Sequence, residues 1–277
     1  MPLNPDIVGT KLVPVEVALT QRMTLAFAAG IDEVVELEER AANASPLQAV
    51  ALEWRLVIAA GHAHLGLDGE ARLRIVHAGQ SSRFPGTLHA GRTYRVEAEI
   101  TGAYNSSAGG VVETTMTTCD AETNEIVVET VSTALCRGSD FQGKPTRVRQ
   151  RPAPRQFDGE IALPIDRWLP HRYTECSGIW NPIHTEPAIA RAASLPGIIV
   201  HGTATWALAG KAIAAHFADT HTGVLEALSG RFTGMAFPGS MLRLHYVSPS
   251  SDGAIVFAVV DAQGSTVIAD GEARLRS

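Results

Sequence analysis

TATWALAGKAIAAHF (203–217) is the most apolar helix candidate in the sequence, and only Lys211 and His216 in it could carry charge. A helix without a solvent face has to be wrapped by other structure. Its length is about 23 Å at the usual helix rise, too short to cross a bilayer comfortably. The first half has a shorter counterpart around WRLVIAA (54–60). Beyond the long helix lies RFTGMAFPG (231–239), which aligns without a gap over RFPGTLHAG (83–91) at an offset of 148 residues. The copies share Arg-Phe, the Gly two residues on and the Gly that ends the segment. Runs of alternating β-formers follow each copy: TYRVEAEI, GVVETTMTT and EIVVETVSTAL in the first half, MLRLHYVS, AIVFAVVDA and TVIADGEARL in the second.

Shared spacing with shared strand texture predicts a duplication. Each half reads as a strand, an irregular or helical segment, one buried helix and three or four long antiparallel strands. A curved sheet around one helix is the hot dog architecture, so the expected fold is an α+β double hot dog, its two sheets joined edge to edge. Between the halves, GSDFQGKPTRVRQRPAPRQF (138–157) has no apolar periodicity and reads as an extended linker. The expected division is therefore 1–137, a linker at 138–157, and 158–277. The linker's Lys144, Arg147, Arg149, Arg151 and Arg155 are either solvated or a basic strap near the phosphates of a nucleotide-bearing substrate.

Composition narrows the function. The 277 residues carry a net charge of −6 with 45% hydrophobic residues, which fits a globular chain and argues against nucleic-acid binding through phosphates. Cys119, Cys136 and Cys176 are widely spaced and form no C-x-x-C pair, so a reducing, cytoplasmic setting is expected, with neither disulfide framework nor zinc site. The N-terminus shows no leader pattern, and no stretch offers a membrane span. His62-x-His64 has no third ligand in sight and reads as surface. No Gly-rich dinucleotide loop is present, so no metal or redox cofactor is expected.

Chemistry concentrates in HRYTECSGIWNPIHTEPAIARAASLPGIIVHGTATWALAG (171–210). Asn181-Pro182-Ile183 forms a rigid turn just ahead of His184, which can accept or deliver a proton near neutral pH or be held by its own backbone neighbours. Gly202 opens the buried helix, where first-turn N–H groups have no intrahelical partner and the dipole is positive; its N–H is a candidate oxyanion donor. His201 reads as a packed support, and Arg191 as a solvent-facing residue of a short helix after Pro187.

Together these residues resemble the signature of the MaoC-like hydratases, also called hydratase 2 or (R)-specific enoyl-CoA hydratases: Tyr, then Ser-Gly-Asp-x-Asn-Pro-Leu/Ile-His, a short helix and an apolar segment ending in His-Gly. Tyr173, Ser177, Gly178, Asn181, Pro182, Ile183, His184, His201 and Gly202 match with the family's spacing. The resemblance implies reversible hydration of a 2-enoyl-CoA, or dehydration of a 3-hydroxyacyl-CoA. His184, Asn181 and Gly202 would be catalytic, and Tyr173, Ser177, Gly178, Ile179 and His201 would lie on the substrate, whose phosphates the linker's Arg151 would meet. The partner would be an acyl-CoA or acyl carrier protein thioester, and the assembly a homodimer of pseudo-dimers. The first half, lacking NPxH, would shape a tunnel in which the acyl chain runs toward Ala59 and Ala60.

One position departs from the pattern: Ile179 stands where the family has the aspartate that shares a water with the histidine. Either His184 acts alone with Asn181 placing the water, or Glu175, Glu186 or Glu53 supplies the carboxyl. A third outcome is a loss of hydration, leaving a hot dog thioesterase or a non-catalytic acyl-thioester-binding subunit.

Overall fold

Alternating β-branched and polar residues make long strands with one face buried, and β3 (Thr93–Ser106) shows the alternation most clearly. The computed structural model describes residues 3–33, 36–60, 65, 67, 74–148, 156–218, 224–250 and 252–276. In the first half, β1 (Val15–Ala18) leads through α1 (Gln21–Gly30) and α2 (Leu37–Ala42) to a 3-10 turn (Pro46–Gln48) and α3 (Ala49–Ala60). Then come β2 (Ile75–Arg83), β3, β4 (Gly109–Asp120) and β5 (Ile126–Arg137). The second half repeats the strand order, with its 3-10 turn one helix earlier: β6 (Gly159–Pro164), α4 (Leu169–Ser177), a 3-10 turn (Pro182–His184), α5 (Pro187–Ala192), α6 (Gly202–His216), β7 (Leu225–Phe232), β8 (Met241–Val247), β9 (Ala254–Val260) and β10 (Thr266–Leu275).

The ten strands of the described residues form one antiparallel sheet in the order β1-β3-β4-β5-β2-β7-β10-β9-β8-β6. The order reads the same from both ends, and its centre is the β2–β7 ladder. There Ser81 pairs with Ser229, the residue 148 positions on. The sheet therefore folds about a pseudo-twofold axis through a residue and its own repeat equivalent, which is the expected double hot dog.

The matched segments do matched work. Gly86 N–H donates to Val127 O and Gly234 N–H to Val267 O; Gly91 N–H donates to Leu19 O and Gly239 N–H to Ile165 O. Gly91 and Gly239 both have positive φ, +87° and +78°, which favours glycine. Ala44 N–H donates to Leu88 O and Val200 N–H to Ala236 O, so the lead-ins to the two central helices correspond.

One continuous core holds α3 and α6 against the sheet, with Trp206, Phe27, Tyr94 and Tyr173 among its largest buried side chains. Only the first part of α3 is deeply buried, from Ala49 to Glu53 plus Leu56. Ala59 is exposed and Ile58 is 55% exposed, so the expected lining of a tunnel by Ala59 does not fit. Helix periodicity turns the last turn of α3 outward.

The linker differs from expectation in its first part. Residues 138–148 pack on the outer face of the first half's sheet, where Phe141 is buried with Leu3, Ile7 and Val112. Buried Asn105 clamps this segment: its Oδ1 accepts Phe141 N–H at 2.8 Å and its Nδ2 donates to Phe141 O and Lys144 O at 2.9 and 3.0 Å. His62, His64, Arg149, Arg151 and Arg155 lie outside the described residues. No helix among the described residues is long and apolar enough to cross a membrane.

Gly210 is where α6 touches both halves. A Cβ there would lie 2.5 Å from Leu228 Cδ2 and 3.0 Å from Leu47 Cδ2, both in the core. Gly→Ala in a helix interior ordinarily stabilises by about 1 kcal/mol. Here overpacking of about 1–3 kcal/mol dominates, so Gly210→Ala should lower the thermal midpoint by a few degrees. A raised midpoint would contradict this packing.

Candidate active site

α4 delivers the first part of the site. Gly178 ends the helix in the left-handed conformation (φ +70°), with its N–H on Thr174 O at 2.9 Å. Ser177 Oγ donates to Tyr173 O at 2.6 Å and accepts Ile179 N–H at 3.1 Å, fixing the exit from the helix. Tyr173 is fully buried; its hydroxyl donates to Thr203 Oγ1 at 3.2 Å, tying α4 to the first turn of α6. Burial pushes the Tyr173 phenol well above its ordinary pKa. Tyr173 and Ser177 thus spend their polar groups on the protein itself, while exposed Gly178 has Arg55 of α3 beside it.

The Asn-Pro turn positions His184. Asn181 Oδ1 accepts Ile183 N–H at 3.3 Å, and His184 N–H donates to Asn181 O at 3.0 Å. Asn181 therefore acts on the placement of His184. His184 Nδ1 lies 2.9 Å from Ile199 O; a carbonyl only accepts, so Nδ1 carries the proton and Nε2 holds the free lone pair. Burial lowers the His184 pKa to about 4, opposed in part by that hydrogen bond.

His201 stacks on His184, ring centroids 3.7 Å apart. Its Nε2 donates to Ile179 O at 3.1 Å with Thr174 Oγ1 at 3.2 Å, and its Nδ1 is buried without a partner. Burial, and then the neighbouring His184, hold the His201 pKa well below the ordinary value. Next in the chain, Gly202 begins α6, and a first-turn N–H has no partner within its helix. A Cβ on Gly202 would lie 3.1 Å from the Phe232 ring. The two histidines and Gly202 thus form one corner, with an unprotonated nitrogen beside an electropositive helix start.

Ile179 is buried, and its backbone groups keep the frame while its side chain faces the core. Glu175 and Glu186 are exposed, as is Arg191. Arg147 lies with its guanidinium 4.1 Å from the Tyr104 ring centroid, a cation–π contact on the first half's sheet. Arg151 falls outside the described residues. The first half offers no equivalent corner: two residues past Ala44 stands Pro46, which has no N–H, where the second half has Gly202 two past Val200. The partners that sequence reasoning missed are Ile199, Thr174, Thr203 and Arg55. A carbonyl that any residue could supply leaves no signal at position 199.

The family described as MaoC like domain matches residues 149–266. Residues 149–266 are a MaoC-like domain. The chain is 28% identical to "Enoyl-CoA hydratase ChsH3" of Mycobacterium tuberculosis, over 94% of this chain and 99% of that one. It is also 28% identical to "3-hydroxyacyl-thioester dehydratase Y" of the same organism, over 87% and 86%. A MaoC-like dehydratase from Phytophthora capsici has the same fold, with a TM-score of 0.82 at 21% identity over 99% of this chain and 98% of that one. The MaoC-like domain holds the whole corner of His184, His201 and Gly202, and the fold shared over the full chain includes the half that lacks it.

His184 and His77, whose pKa burial lowers to about 4, and His201, which burial holds well below the ordinary value, are neutral in the fold and charge below about 6.5 when unfolded. The unfolded chain binds more protons there, so these groups remove stability as pH falls from 6.5 toward 4. Urea titrations should show His184→Gln losing less stability than wild type between pH 7 and 5, by up to about 2 kcal/mol. Equal losses would contradict the buried neutral imidazole.

Proposed function

We propose that the chain is a hydro-lyase that adds water reversibly to a 2-enoyl thioester, or removes it from a 3-hydroxyacyl thioester. The observation that carries this reading is His184: its tautomer is fixed by Ile199 O, its ring is neutral, and it stacks on His201, the residue that precedes Gly202. The names of the relatives, an enoyl-CoA hydratase and a 3-hydroxyacyl-thioester dehydratase matched over nearly their full length, support the same class.

In hydration His184 Nε2 takes a proton from water as the oxygen bonds to the β-carbon. The electrons of the double bond move toward the thioester oxygen, where Gly202 N–H and the α6 dipole stabilise the charge. The α-carbon then takes a proton and the carbonyl is restored. Asn181 and His201 hold His184 in place from its turn and from its ring face. Residues 1–137 shape the pocket, 138–157 connect, and 158–277 carry this chemistry. The substrate is an acyl-CoA or acyl carrier protein thioester, and the assembly a homodimer of such pseudo-dimers. Cys119, Cys136 and Cys176 are free thiols, which fits a cytoplasmic setting.

His184→Ala should lower kcat/KM about 10²–10⁴-fold, followed as loss of enoyl-thioester absorbance, and wild-type turnover should release no free thiol. Turnover within threefold of wild type, or thiol release matching the absorbance loss, would contradict the reading.

A further inference from the structure

β7 runs along α6 in steps that end at the oxyanion donor. Leu228 meets Gly210, Gly230 meets Trp206 and Phe232 meets Gly202; a Cβ on each glycine would lie 2.5, 3.8 and 3.1 Å from its partner's side chain. Alternate strand residues repeat at about 6.6 Å and every fourth helix residue at about 6 Å, so the two rows keep step. Phe232, the last residue of β7, therefore falls on the first turn of α6. The three atoms nearest a Cβ on Gly202, at 3.1, 3.1 and 3.3 Å, all belong to the Phe232 ring.

The ring is braced from the other half. His77 of β2 packs edge-on against it, with centroids 5.0 Å apart and planes at 79°, and Ser132 Oγ of β5 lies 3.2 Å from His77 Nε2 and holds the imidazole. A ring so held cannot swing aside without moving the junction strands.

The repeat equivalents differ at both places. The residue 148 positions before Phe232 is Phe84, 3% exposed, and the one 148 positions after His77 is Leu225, also 3% exposed. Phe232 and His77 are instead half-buried, as are His184 and Gly202, while His201 and Thr203 on either side of Gly202 are buried. The open copy of the aromatic thus stands in the half that carries the histidine corner, and the closed copy in the half that lacks it.

Resting on the hydro-lyase reading, we propose that Phe232, braced by His77, sets acyl specificity at the thioester: its ring takes up the space beside Gly202 that a substituent on the α-carbon would need. The substrate class is then a 2-enoyl thioester unbranched at that carbon. With the thioester oxygen on Gly202 N–H, the α-carbon is two bonds from that oxygen, so a methyl group on it meets whatever lines the first turn of α6. The large side chain lying on that turn at Gly202 is Phe232.

The test compares 2-butenoyl-CoA with 2-methyl-2-butenoyl-CoA on the full chain, reading kcat/KM for each in wild type, Phe232→Leu, His77→Ala and His184→Ala. Phe232→Leu should shift the branched-to-unbranched ratio at least about 10-fold toward the branched substrate, the size usual for one carbon in an apolar pocket. His77→Ala should shift it the same way by a smaller factor, because the ring stays and only its brace is gone. A ratio in Phe232→Leu within threefold of wild type, whether both rates hold or both fall together, overturns the proposal; with His184→Ala inactive it leaves the hydro-lyase reading standing. Turnover of His184→Ala within threefold of wild type overturns both. If Phe232→Leu does not fold, His77→Ala decides: an unchanged ratio there overturns the role of the braced ring.

Discussion

Each five-stranded half ends in a strand with an unpaired edge, β2 or β7, and the two edges satisfy each other about Ser81 and Ser229. An open edge of that length invites unwanted pairing. Closing it within one chain fixes the positions of α3 and α6 relative to one another, because both pack in one core against the same sheet. The site depends on that registration. Gly202 opens α6, Phe232 closes over it from β7, and His77 backs Phe232 from β2.

Duplication gives two copies of the scaffold, and a few residues decide that only one carries the histidine corner. Val200 and Ala44 are held by equivalent hydrogen bonds, yet the next-but-one residue is Gly202 in the second half and Pro46 in the first. Proline removes the donor that a developing oxyanion needs, and the first half also lacks the Asn-Pro turn. The first half instead buries Glu53 of α3 against Gln80 of β2. Burial thus lowers the His184 pKa in the second half and raises the Glu53 pKa in the first. Both shifts come from burial, so site and core are the same structure seen from two sides.

Much of this was legible beforehand. The RF…G…G repeat predicted the junction, the apolar run predicted α6, and the Asn-Pro-x-His turn predicted an imidazole held in one place. Other features were hidden for physical reasons. Val57 and Ile58 looked like core, but the deeply buried turns of α3 come earlier, because tertiary contacts choose which helix face is covered. The segment from Gly138 read as solvated through its glycines and prolines, yet one aromatic, Phe141, and one distant amide, Asn105, anchor it. Glu53 reads in the sequence as one of three candidate carboxyls, and its burial leaves no signal in its own neighbours because Gln80 of β2 and Thr130 of β5 set it.

The central claim is geometric: one corner at the junction binds the thioester oxygen at Gly202 and presents its β-carbon to His184. A crystal structure of the full chain with an unreactive acyl-CoA tests it most directly. The account predicts the thioester oxygen within hydrogen-bond distance of Gly202 N–H and the β-carbon facing His184 Nε2. An acyl-CoA bound with its thioester away from α6, leaving His184 against protein alone, would contradict it.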